Sequence, residues 1–260
     1  MPAQWGKKEE EKRRKELLRL YVRENKTIRE AAHILRIGES TVYDRLVRLG
    51  ISSQRFKKAR YNNVRRDIVI PRRYSSELAE LIGVLLGDGH LSATQVTVTL
   101  GKKDEYAEYV AALVQGVFGV APRVIRLKRG DTVVYLGSTV VVRWLQSMGL
   151  VFNKVRAQVD VPSWIFTRRI YIKNALRGLF DTDGSVYRLK FGTQLSFCNT
   201  SRPLLRSFRR MCVTLGFHPS RTSGKNVYLT RKSDLRKFFD EIGFRNKKHE
   251  KRFLEFTSLN

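Results

Sequence analysis

Leu81-Ile-Gly-Val-Leu-Leu-Gly-Asp88-Gly89 and Leu176-Arg-Gly-Leu-Phe-Asp-Thr-Asp183-Gly184 are one pattern written twice. Each copy is largely apolar, has glycine at its third position, and ends in a small residue followed by Asp-Gly. The two aspartates lie 95 residues apart (183 minus 88). That spacing is too long for a solenoid repeat and close to the size of a small domain, so two similar halves are expected. Gly83 and Gly87 share one face of a helix, as do Gly178 and Thr182, and small residues at that spacing let two helices approach closely. The apolar surroundings predict helices buried nearly all round. Asp-Gly then marks each C-terminus, with Gly89 and Gly184 expected in the left-handed cap conformation. A carboxylate is awkward there, because a helix C-terminus already carries partial negative charge. If the helices pack side by side, Asp88 and Asp183 converge. A divalent cation would then offset the charge, and oxygen ligands suit Mg²⁺. One copy alone reads as an ordinary buried helix ending in a turn; two copies in register do not.

Composition narrows the partner. The chain has 260 residues, 42% hydrophobic and 10% aromatic, which excludes a disordered chain and allows more than one domain. Lys plus Arg number 51 against 24 Asp plus Glu, a net charge of +27. An excess of that size points to a polyanion, most commonly nucleic acid, whereas a thermophile's surface would mix both signs. No run of ~18 apolar residues and no basic amphipathic anchor is present, so a membrane partner is not expected. The N-terminus lacks the apolar stretch of a signal peptide. Cys198 and Cys212, neither in a metal-binding spacing, read as reduced packing residues of an intracellular, cytoplasmic protein.

Residues 7–24 alternate charge clusters with Leu17, Leu18, Leu20, Tyr21 and Val22, which predicts a first helix. Thr27 with Glu30 is a capping box opening a second; Arg36-Ile37-Gly38 is a short turn; a third helix runs from Glu39 or Ser40 to Gly50. This resembles a helix-turn-helix that would present Ser40, Thr41, Tyr43, Asp44, Arg45 and Arg48 to a major groove, with Val42, Leu46 and Leu49 inward. A plain three-helix adaptor fits the same pattern, and the net charge favours DNA. His33 reads as a core or flank residue. From Arg55 to Arg73 eight basic residues face one acid, Asp67, with Phe56 and Tyr61 interleaved; such a tether would track a phosphate backbone.

Both motifs head the same order of elements. Residues 90–93 and 95–100 read as strands, 103–118 as a helix, 123–128 and 132–136 as a hairpin, and 139–149 as a helix. After the second motif come strands at 185–191 and 194–198, a helix at 202–215, a hairpin of 221–222 with 226–230, and a helix at 233–242. Each half is thus αββαββα. The expected fold is α+β, two pseudo-symmetric αββαββα halves plus a small all-α N-terminal helix-turn-helix domain. The boundaries read 1–52, a basic linker 53–75, and halves 76–165 and 166–260. On the strands Arg123, Arg126, Lys128, Arg188, Lys190, Gln194 and Arg221 are candidate DNA contacts, since a β-ribbon fits the major groove. Which alternate residues face DNA depends on register.

Both motifs resemble the one that names the LAGLIDADG homing endonucleases, of the monomeric two-motif type. The second copy is close; the first has Leu86 where an acid is usual. The resemblance covers roughly residues 75–260 and implies that the two halves form one DNA-binding saddle, with Asp88 and Asp183 as metal-binding and catalytic residues. It adds the carbonyls of Gly87 and Thr182 as further metal ligands, and Mg²⁺, with Mn²⁺ able to substitute. Lys102 and Lys103 after the first half's second strand resemble the family's secondary catalytic groups. Asn199-Thr200 occupy that region of the second half, so the two sites look unequal. Lys154, Lys247 and Lys248 are basic candidates without a place, and His90 reads as a strand residue. Two carboxylates holding metal can activate water and stabilise both phosphorane and leaving oxygen; the sequence offers no nucleophilic triad, phosphate loop or zinc spacing instead. The implied activity is site-specific double-strand cleavage of a long asymmetric DNA target, one phosphodiester per strand, by a monomer without a protein partner. A Met1 start and a Thr-Ser-Leu-Asn end suggest a free-standing or intron-homing enzyme. The alternatives are a DNA-binding regulator that has lost cleavage and an intron RNA maturase.

Overall fold

A computed structural model describes residues 6–24, 26–51, 67–102 and 105–258. Contacts divide the chain into two units, 1–62 and 63–260. In the first, α1 (Lys7–Leu17) continues into a π-helical turn (Leu18–Arg23), followed by α2 (Ile28–Leu35) and α3 (Glu39–Arg48). The capping box forms as expected: the Glu30 amide donates to Thr27 Oγ1 at 3.2 Å and the Thr27 amide to Glu30 Oε2 at 2.6 Å. Arg36, at φ 52°, makes the turn. Leu17, Tyr21, Ala31, Val42, Leu46, Leu49 and Ile51 form the core.

The second unit is built around the motifs. Its first half is α4 (Ser76–Gly87), β1 (Gly89–Leu91), β2 (Gln95–Lys102), α5 (Tyr106–Phe118), β3 (Arg123–Arg126), β4 (Asp131–Gly137) and α6 (Thr139–Ser147). Its second half is α7 (Arg169–Asp183), β5 (Gly184–Leu189), β6 (Gly192–Cys198), α8 (Arg202–Thr214), β7 (Asn226–Leu229), α9 (Lys232–Glu241) and α10 (Lys247–Ser258). The sheets are antiparallel, in order β1-β2-β4-β3 and β5-β6-β7. The first half is αββαββα. The second departs from it: residues 221–222 form no strand, only an isolated bridge from Ser223 to Asn226. The Tyr228 amide instead donates to Ser220 Oγ at 3.0 Å, and a side chain thereby takes a bond that a ladder would use. The sequence reading also left out α10, which packs on β5 and β6.

Every residue of α4 from Leu78 to Gly87 is buried. The reason is the approach of α7. A Cβ on Gly83 would stand 2.4 Å from the Ala175 carbonyl oxygen, and one on Gly178 2.3 Å from that of Glu80. A Cβ on Gly87 would overlap the Thr182 side chain. Backbone meets backbone at Gly83 and Gly178, and the Thr182 side chain fills the space at Gly87, so the expected small-residue face is used. Gly89 and Gly184 are different. Neither has positive φ, which corrects the expected left-handed caps. The chain leaves each helix directly into β1 or β5, and a Cβ there would lie 2.5 Å from Leu85 Cα or 2.2 Å from the Phe180 carbonyl oxygen.

A buried ion pair crosses the helix contact. Arg177 donates to Glu80 through Nε at 3.1 Å and Nη2 at 2.6 Å, and the Tyr109 hydroxyl adds a bond to Glu80 at 2.7 Å. Residues 67–74, expected in the linker, belong to this unit: Ile68 and Ile70 pack on its core, and Tyr74 stacks on Trp164. Their apolar run outweighs the flanking charge. No helix among the described residues is long and apolar enough to cross a membrane.

Candidate active site and nucleic-acid face

Asp88 caps α4 and Asp183 ends α7, and each is followed at once by the first strand of its sheet. The Asp183 Cγ lies 3.5 Å from the point a Gly87 Cβ would occupy, so the two helix ends abut, and Lys154 feels the charge of both aspartates. Asn199 donates from Nδ2 to Asp183 Oδ2 at 2.6 Å. Its own Oδ1 accepts from the Ser201 amide at 2.7 Å, which fixes the amide with its NH₂ toward the carboxylate. Burial pushes the Asp183 carboxyl above its ordinary range, opposed by Asn199 and by Lys154.

Lys154 is the residue the sequence could not place. Its Nζ donates to the Gly87 carbonyl and, at 3.4 Å, to that of Leu85. Burial pulls its pKa down, and Asp183 and then Asp88 pull it back up. It lines a cavity of about 230 Å³ together with Asp183, Asn199, Cys198 and Ser201. A faint signal was present: Asn153-Lys154 follows Gly149 at a distance of four residues, and Asn246-Lys247 follows Gly243 at three. The two lysines nevertheless diverge, since Lys247 is exposed and pairs with Glu105 at 3.2 Å. Asn246 instead binds the Asp181 carbonyl at 3.1 Å and caps the start of α10 through Lys248 N.

Two carboxylates and two helix C-termini, set against one ammonium, leave the site electron-rich within a chain of charge +27. Among the described residues no three His, Cys, Asp or Glu side chains group as a metal site. Carboxylate and carbonyl oxygens are donors that suit a hard cation such as Mg²⁺, although the Gly87 carbonyl already accepts from Lys154. The Thr182 hydroxyl is turned away, bonding back to the Gly178 carbonyl at 2.9 Å.

Residues 171–243 match the family model described as a LAGLIDADG-like domain. Among curated proteins, this chain is similar to the replication factor C small subunit of Methanocaldococcus jannaschii, 26% identical over 189 residues that cover 70% of this chain and 10% of that protein. It is also similar to an iron-sulfur cluster assembly SufBD family protein of Mycobacterium leprae, 27% identical over 181 residues, covering 67% and 19%. The chain spans a tenth to a fifth of the length of the curated relatives it matches. Among solved structures, the homing endonuclease I-DmoI with DNA and Mn overlays with TM-score 0.49 at 16% identity, covering 65% of this chain and 96% of that one. The N-terminal LAGLIDADG domain of DUF199/WhiA overlays with TM-score 0.48 at 15% identity, covering 69% and 88%.

The half that this model matches and the half before it each lay one sheet face on the core and leave the other open. In the first, Val96, Val98, Val134 and Leu136 point inward. Pairing of Thr97 with Tyr135 and of Tyr135 with Arg123 puts these three, with Gln95 and His90, on the open face. Arg126 pairs with Thr132 and so registers with the core side, exposed only because β3 is the sheet edge. In the second half Gln194 shares the open face with Tyr187, Ser185, Ser196 and Tyr228. Arg188 pairs with buried Thr193 and does not. Lys128 and Lys190 stand in turns and Arg221 outside any strand, which corrects their expected strand positions. Cys212 is buried, but Cys198 is exposed rather than packed. Lys102 ends β2, opposite Asp131 across a bulge; its side chain and all of Lys103 lie outside the described residues. On α3, Ser40, Tyr43, Asp44 and Arg48 are exposed and Thr41 partly so. Arg45 is not on that open face: it is half-buried, with burial and Arg13 lowering its pKa and Glu16 and Glu9 nearby. Exposed His33 is a flank residue.

Proposed function

We propose that the protein is a LAGLIDADG-type endonuclease that cuts both strands of a long, asymmetric double-stranded DNA target, one phosphodiester per strand. The observation that carries this is the abutment of the two helix ends that bear Asp88 and Asp183, beside a half-buried lysine whose ammonium feels both carboxylates. A divalent cation held by Asp88, Asp183 and the carbonyls of Gly87 and Thr182 would supply Lewis-acid polarisation of water and phosphate. Asn199 keeps the Asp183 carboxylate oriented. Lys154 stands where an ammonium offsets charge growing on the phosphate, and its lowered pKa suits it to give a proton to the departing oxygen. The open faces bearing Arg123 and Gln194 offer guanidinium and amide groups for base edges in the major groove, with the α3 face of the N-terminal unit as a further reader. Four strands on one side and three on the other impose no palindrome. Similarity to segments inside proteins whose names share no activity suits a unit that travels between genes.

A second reading has its own observation. Lys154 already places a cation on the Gly87 carbonyl, and a site neutralised in that way would serve a DNA-binding regulator without cleavage. Incubation of the protein with a plasmid library bearing candidate insertion loci, in Mg²⁺, Mn²⁺ or EDTA, separates the two. The endonuclease gives a metal-dependent double-strand break, lost by at least about a hundredfold in Asp88→Asn or Asp183→Asn while binding persists. Tight binding with no break in either metal would establish the regulator.

A further inference from the structure

The opposite ends of the motif helices carry a second basic surface. The 12 residues of α4 and 15 of α7 put their N-termini about 18 to 22 Å from the aspartates, at 1.5 Å per residue. A cavity of about 940 Å³ opens there, walled by Arg72, Arg73, Arg168, Tyr74, Trp144 and Tyr171, with no carboxylate in its lining. The three arginines are exposed. Tyr74 is 49% exposed although Trp164 covers one of its faces, with centroids 4.2 Å apart and planes 4° from parallel, so its other face is open. That platform is braced. Trp164 sits edge-on to Tyr171 at 5.4 Å, and the Tyr171 hydroxyl donates to the Tyr74 carbonyl at 3.0 Å. The α7 N-terminus lacks a side-chain cap, leaving its first amides and their partial positive charge toward this end. In sequence, Arg55, Lys57, Lys58, Arg60, Arg65 and Arg66 lead into Arg72.

Clustered guanidinium groups take phosphates, and an open ring face takes an unstacked base; a duplex offers the first without the second. We propose that this cavity binds a single-stranded polynucleotide, stacking a base on Tyr74 and holding phosphates on Arg72, Arg73 and Arg168. The proposal does not depend on cleavage at the aspartates.

Fluorescence anisotropy of the full chain with labelled oligo-dT and oligo-rU of about twelve nucleotides tests it, with excess unlabelled duplex present to fill other DNA-binding surfaces. Binding of either sugar is expected, with an abasic strand of equal length at least about tenfold weaker. The double variant Arg72→Glu/Arg73→Glu should lose about tenfold or more and flatten the log K against log salt slope by about 1.4, at ~0.7 per phosphate contact. Its melting temperature should not change, because both side chains are exposed. Tyr74→Leu should bring the base-bearing strand down to the abasic level. Equal affinity for the abasic strand, displacement by duplex, or unchanged binding in the arginine variant would each overturn the proposal.

Discussion

Asp181, buried at the sixth position of the second motif, should give the protein an unusual pH profile. Burial pushes its carboxyl from 3.8 up to about 7, against the opposing hydrogen bonds from the 245–246 backbone. The folded state then holds a proton that the unfolded chain has already released. Stability therefore falls with rising pH between about 4 and about 7, and at ~1.36 kcal/mol per pH unit the full loss is about 4 kcal/mol. His249, packed edge-on to Phe180 at 5.6 Å, acts in the opposite sense. Burial, then Lys248, lower its pKa from 6.5 to about 4, so the folded state binds fewer protons than the unfolded across that range and stability rises with pH. In the native chain the two slopes nearly cancel up to pH about 6.5, and the Asp181 loss shows above it. Asp181→Asn keeps an oxygen for the Arg245 amide, which donates to it at 2.9 Å, and removes only the acid's titration. Urea unfolding followed by tryptophan fluorescence suits the test, since Trp144 and Trp164 lie in this unit. The amide adds a constant offset, so the quantity to read is the stability difference, variant minus native, at pH about 4, 6 and 8. It should climb by about 4 kcal/mol from the acid to the alkaline end. A difference flat to within ~1 kcal/mol would show that Asp181 is not a buried acid in the folded protein.

Two further outcomes follow from the geometry. In Gly178→Ala, helix propensity favours alanine by about 1 kcal/mol, but the new Cβ would lie 2.3 Å from the Glu80 carbonyl oxygen and 2.9 Å from the Val84 amide. Backbone cannot yield as a side chain does, so a net loss of about 2 kcal/mol or more is expected, with the proposed DNA cleavage lost as the helix ends part; a melting temperature at or above the native value would contradict it. Deleting residues 1–62 should leave the 63–260 unit folded and lower the salt slope of DNA binding by about 0.9 for each phosphate contact removed. An unchanged slope and target preference would refute a DNA role for α3.

What was legible in the sequence was short-range or repeated. Thr27 and Glu30 are three residues apart and cap the same helix, and a helix-ending glycine at 119, 149, 216 or 243 adopts positive φ where the helices stop. The packing of the two motif helices was legible because the motif occurs twice, with small residues on the same face of each copy. Lys154 was not, because it reaches Gly87 from 67 residues away through a segment with neither helix nor strand. The left-handed caps failed for a related reason: what Gly89 and Gly184 avoid is collision with their own helix as the chain turns into a strand, and a sequence does not display that contact. Arg45 looked solvent-facing by type, but its place on α3 is beside the buried row, against α1.

The same contrast between repeated and unrepeated residues decides how the halves can assemble. Aligning the motifs sets Glu80 opposite Ala175 in the repeat, and Arg177 opposite Ile82. Two copies of α4 meeting face to face would bury each Glu80 against an isoleucine; two copies of α7 would bury each Arg177 against an alanine. Either arrangement leaves a charge without its partner, at a cost of roughly 3–5 kcal/mol for each broken pair. Only α4 against α7 joins Glu80 to Arg177 with Tyr109 completing the bonds. The glycines make the helices able to pack in any combination, and this ion pair restricts them to one, which is how a duplicated motif comes to form a single unequal site within one chain.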